Sequence, residues 1–91
     1  MTEPRLTLSC TSDGELQILM NPEARVVLIR LLESMSDKND HFHLFSFQDD
    51  DELRLSEIPY HEGDKIFTAA KIMLRMDEWD KKFFPHVMEL R

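Results

Sequence analysis

Ninety-one residues suit one small domain with a single core, expected to span residues 1–91. Hydrophobic content of 42% and charged content of 32% argue against wholesale disorder, and no apolar run approaches the length that spans a bilayer. With 18 Asp and Glu against 11 Lys and Arg, the net charge of −7 argues against nucleic-acid or anionic-lipid surfaces; it would attract a basic protein partner, though plain solubility accounts for such a charge more readily.

The first residues carry neither the basic region nor the apolar run of a secretory signal. The lone cysteine, Cys10, has no second thiol with which to bridge internally. Both features predict a cytoplasmic protein. Leu6, Leu8 and Cys10 alternate with Thr7 and Ser9, the period of a half-buried strand. Asp13-Gly14 marks a tight turn, and Leu16, Ile18 and Met20 then alternate with Gln17 and Leu19. The two runs predict a hairpin with its Leu-rich face on the core.

Asn21 is a good helix N-cap, Pro22 suits the first helical position, and Glu23 complements the helix dipole. Ala24, Val27, Leu28, Leu31, Leu32 and Met35 recur at helical spacing, with Arg25, Arg30 and Glu33 off that face. Ordering the helix costs more than burying this one stripe returns, so it must lie on the sheet, over Leu6, Leu8 and Ile18. Ser36 to Asp40 are poor helix formers and end it.

His41, His43, Phe45 and Phe47 fall on one side of the next strand and Phe42 and Leu44 on the other, which predicts a central strand. Gln48 to Asp51 makes a polar turn, and Leu53 to Ile58 predicts a further strand before the loop at Pro59–Asp64. Residues 66–76 fit a helix through Ile66, Ala69, Ala70, Met73 and Leu74. They fit a strand equally through Ala70, Ile72, Leu74 and Met76. Composition leans helical and periodicity leaves both open. Trp79 and Phe83 lie one helical turn apart, so a short C-terminal helix precedes Pro85.

The fold class expected is two-layer α+β, one antiparallel sheet of about five strands in the order ββαβββ with a main helix on one face. No nucleophile elbow, phosphate-cradling glycine loop or His-Glu-x-x-His helix is present, so an enzyme is not expected and no cofactor is implied. His41 and His43 project to one strand face, where they either share a metal with a third ligand or serve as structural, partner-facing imidazoles. The structural role is preferred because no third ligand has a spacing that converges on them. The acidic run Asp49, Asp50, Asp51 and Glu52 is either a solvated turn or a contact for a basic partner. The tail residues Trp79, Phe83, Phe84 and Met88 either cover this domain's own core or form a homodimer interface.

Asn21-Pro22-Glu23, then Leu28, Leu31 and Leu32, then Asp40-His41-Phe42-His43-Leu44, then Glu52-Leu53 and Leu55-Ser56, and finally Lys71-Ile72 form an ordered set. From about Gly14 to Met76 this set resembles the immunity protein 32 family, small bacterial antidotes of polymorphic toxin systems. The resemblance implies a small α+β fold whose last main strand is 66–76, and a non-enzymatic role of binding a toxin and blocking it. Where family members often carry glycines after the His-Leu strand, this chain has Gln48-Asp49-Asp50-Asp51. No binding residues carry over from the family; the site expected from charge and position is an acidic face at Asp49–Glu52, with His41 and His43 beside it, covering a basic site on the toxin.

Overall fold

The computed structural model describes residues 3–47 and 53–89. Strands β1 (Leu6–Cys10) and β2 (Leu16–Met20) form the expected antiparallel hairpin, Leu6 opposite Met20 and Cys10 opposite Leu16. Gly14 takes a φ of +89° in the connecting turn, a conformation that suits glycine. Its N–H donates to the Thr11 carbonyl at 2.9 Å.

Helix α1 (Pro22–Glu33) starts where the capping residues place it. Asn21 Oδ1 accepts the N–H groups of Ala24 and Arg5, both at 2.9 Å, and its Nδ2 donates to the Glu3 carbonyl at 2.8 Å. One buried amide thus ties the helix start to the chain entering β1. At the other end the Ser34 hydroxyl donates back to the Leu31 carbonyl, and Asn39 donates to the Ser34 carbonyl. These bonds close the turn that leads into β3 (His41–Phe45).

Two short strands follow, β4 (Lys65–Ile66) and β5 (Ala69–Met73). β4 adds to the hairpin as β2-β1-β4, whereas β5 pairs antiparallel with β3, His41 opposite Met73 and Phe45 opposite Ala69. The fold is therefore α+β, with two α-helices and antiparallel sheets of three and two strands among the described residues. The expected single five-strand sheet is not formed, because the last strand breaks at Phe67-Thr68 as the chain crosses between sheets. Phe67 N–H donates to the Leu8 carbonyl in the first sheet, and Thr68 accepts from Ser46 N–H beside the second.

Two further expectations are corrected, and one reading left open is decided. Leu53–Ile58 is no strand: Leu55 makes one parallel bridge to Leu6, and its N–H donates to the Phe45 carbonyl. This segment wedges Leu53 and Leu55, each 2% exposed, into the junction of the two sheets. β3 is not central, since among the described residues it ladders with β5 alone. Residues 69–73, open to either reading, form a strand, because pairing with β3 outweighs the weak helical preference of Ala, Lys and Met.

The core is Leu6, Ala24, Leu44, Leu53 and Leu55, with Leu8, Val27, Leu28, Leu31, Phe42, Ala70 and Ile72 packed against it. Ala24, Val27, Leu28 and Leu31 of the helical stripe share the core with Leu6 and Leu8 of β1 and with Phe42, Leu44, Ala70 and Ile72 of β3–β5. The helix does not cover β2: Leu16, Ile18 and Met20 are exposed, Ile18 to 53%, and Leu32 at the flank of the helical stripe is exposed as well. A hairpin has one apolar face in sequence, but here the helix is wide enough to seal only its inner strand.

The chain ends in α2 (Asp77–Phe83) and a 3₁₀ turn at Pro85–Met88, with the helix closing before Pro85 as expected. Neither contributes to the core cluster. The radius of gyration is 15.5 Å, against about 12 Å for a compact domain of this length. The accessible surface is 7230 Å², against roughly 5,500 Å² for a folded monomer of this mass. The molecule exposes far more apolar side chain than its own core uses.

Candidate partner-binding site

The odd-numbered residues of β3 face away from the core because Phe42 and Leu44 occupy the inner face. His41, His43, Phe45 and Phe47 consequently form a ladder of rings along the outer face. His41 meets His43 edge-on at 5.4 Å between centroids, His43 stacks on Phe45 at 5.5 Å, and Phe45 tilts against Phe47 at 4.8 Å. Phe47 is 65% exposed at its end. The cross-strand neighbours on this face are Met73, Lys71 and Ala69. The two predicted histidines are thus brought together, at the surface.

His41 Nδ1 lies 2.8 Å from Asp40 Oδ1. This hydrogen bond, more than the nearby charges of His41 and Lys71, holds the Asp40 carboxyl below its ordinary 3.8. Among the described residues no group of three or more His, Cys, Asp or Glu side chains is arranged to hold a metal ion. His61 lies far along the chain in the loop, 3.4 Å from Asp64. Cys10 is half-buried, and its Sγ contacts the Thr11 carbonyl.

Asp40 and Met73 also line an open groove of about 810 Å³ between the end of β5 and α2. Its walls are Met73, Leu74, Met76, Trp79, Phe83 and Phe84. Trp79 and Phe83 lie 4.4 Å apart between ring centroids, one helical turn along α2. Trp79 is 56% exposed, so the tail does not serve as cover for the domain's own core. Met88 is half-buried and lies outside the groove wall.

The groove's polar rim is Asp37, Asp40, Glu78 and Arg75. The cation is already engaged: Arg75 Nε and Nη2 both donate to Asp80 Oδ1, the former at 3.1 Å, and its guanidinium lies 5.0 Å from the Phe84 ring centroid. Asp80 is the one buried residue of α2, so this ion pair is what docks the helix to the end of β5. The remaining rim charges are carboxylates over an aromatic floor.

Because His41 is opposite Met73 and Asp40 accepts the Leu74 N–H at 2.6 Å, the ring ladder runs directly into the groove. Two features read separately in the sequence, the histidine pair and the aromatic tail, become one surface through β3–β5 pairing. The acidic run Asp49, Asp50, Asp51 and Glu52 lies outside the described residues. Asp37, Arg75 and Glu78 escaped the sequence reading, and Leu74 entered it only as part of a helix or strand pattern. Nothing in the sequence singles them out as a group, because what unites them is the path of β5 into α2. Comparison with protein-family models, curated proteins and solved structures found no match to this chain.

Proposed function

We propose that this chain is a non-enzymatic protein-binding module that neutralises a basic protein partner, a bacterial toxin, by covering a basic site on it. The observation that carries the reading is the groove at the β5–α2 junction: an exposed aromatic floor rimmed by Asp37, Asp40 and Glu78, with its one cation neutralised in place. Such a groove suits an amphipathic segment that seats apolar anchors while its Lys and Arg side chains meet the rim. The net charge of −7 steers a basic partner toward it. The resemblance to the immunity protein 32 family supplies the toxin as the partner class.

Co-expression with the product of the neighbouring gene, followed by calorimetry on the purified pair, tests this. The complex is expected to form, to weaken with salt, and to weaken about thirtyfold or more on Trp79→Ala, a central aromatic anchor. Binding that ignores Trp79→Ala and Asp40→Lys would remove the groove from the mechanism. Failure of the pair to associate would remove the toxin reading altogether.

A further inference from the structure

We propose that this protein forms a two-fold dimer by antiparallel pairing of β2 with β2 of a second copy, centred on Ile18. The hydrogen-bond phase of the hairpin places the free groups. Asn21 N–H donates to the Arg5 carbonyl and Thr11 N–H to the Glu15 carbonyl. In the observed register the inward-bonding residues of β2 are therefore Gln17 and Leu19. The N–H and C=O groups of Leu16, Ile18 and Met20 point to the outer edge, where no strand among the described residues meets them.

The same three residues carry the exposed apolar side chains, Leu16 at 59%, Ile18 at 53% and Met20 at 37%. Edge strands of monomers are guarded by lysine, proline, bulges or inward charges. β2, Leu16-Gln17-Ile18-Leu19-Met20, has none of these in a chain that is 32% charged.

The occupant is chosen by symmetry and charge. With Ile18 opposite its own copy, Leu16 faces Met20 of the second chain and Met20 faces Leu16, so the outward groups close about six ladder hydrogen bonds. Glu15 then lies opposite Asn21, so no acidic residue meets an acidic residue across the seam. The apolar side chains of both strands fall on the helix-bearing face, since their register partners Leu6 and Leu8 pack with α1. They bury one another in the gap left beside each helix. A basic partner gains nothing from this neutral edge, whereas a second copy matches it residue for residue.

Two bodies of charge −7 repel, so this dimer strengthens as salt screens them, opposite to capture of a basic partner in the groove. Light scattering is expected to give about twice 10.8 kDa for the wild type, with more dimer at higher salt. Ile18→Lys and, as a second variant, Leu16→Lys are expected to weaken the dimer about a hundredfold or more and to leave the far-UV spectrum unchanged. Trp79→Ala is expected to leave it intact. In a Cys10→Ser background, Ile18→Cys is expected to oxidise to a covalent dimer and Gln17→Cys not, because only position 18 lies opposite itself. A wild type that stays monomeric at every concentration and salt would overturn the proposal. So would a dimer that survives both lysine variants, dissociates on Trp79→Ala, or cross-links equally through position 17.

Discussion

Replacing Arg75 by Met keeps the aliphatic stem and removes the guanidinium, leaving Asp80 only 7% exposed and without its cation. Two charge-assisted hydrogen bonds to one carboxylate oxygen and the contact over Phe84 are lost together. Such bonds contribute about 1.5–3 kcal/mol each in net terms, and the 37% exposure of the Arg75 side chain discounts them toward a total of about 2–4 kcal/mol. Because α2 has only 7 residues and shares no part of the core cluster, it cannot persist as a docked helix on its own propensity. The loss therefore appears as undocking of the tail, shifting its docked population roughly 30- to 700-fold at 1.4 kcal/mol per decade. Trp79 is the only tryptophan and sits in this helix, so the anisotropy of its selectively excited fluorescence reads the tail alone. The expected result is a mobile Trp79 at temperatures where far-UV ellipticity and core amide protection remain native. A tail that melts together with the core, or a Trp79 signal that Arg75→Met does not change, would refute the assignment of this ion pair as the anchor.

Asn21→Ala removes three side-chain hydrogen bonds at once, including the cap of α1 and the tie to Arg5, and is expected to destabilise the whole domain by about 2–4 kcal/mol in urea titrations. An effect below about 0.5 kcal/mol would show that the amide is not the joint between β1 and α1. Leu44→Ala, at a position 2% exposed, is expected to cost about 2–5 kcal/mol, and Ile18→Ala in the isolated chain under about 0.5 kcal/mol by the same assay. The Asp40 carboxyl titrates below its usual 3.8 in the folded chain, so its pairing contributes above that pH and is lost as pH falls through the lowered value. Carbon NMR titration is expected to move the Asp40 midpoint upward in His41→Ala, and an unmoved midpoint would exclude the hydrogen bond as the cause.

What the chain could declare in sequence is what depends on neighbours along it. Asp13-Gly14, Asn21-Pro22 and the Ala24–Leu31 stripe specify turn, cap and buried helix face through local sterics and hydrogen bonding, and each forms where those residues stand. The outward row of His41 and His43 follows equally from strand alternation. Pairing partners and the reach of the covering layer are another matter, since both join residues far apart in the chain. Tertiary structure alone sends residues 69–73 to β3 as a strand, turns Leu53–Leu55 into a wedge instead of a ladder, and joins the histidine row to the aromatic tail. It likewise leaves Leu16, Ile18 and Met20 uncovered, because one helix of 12 residues seals a single strand of the hairpin. Alternation says which side chains share a face, and only the packing of the whole chain says whether anything lies above them.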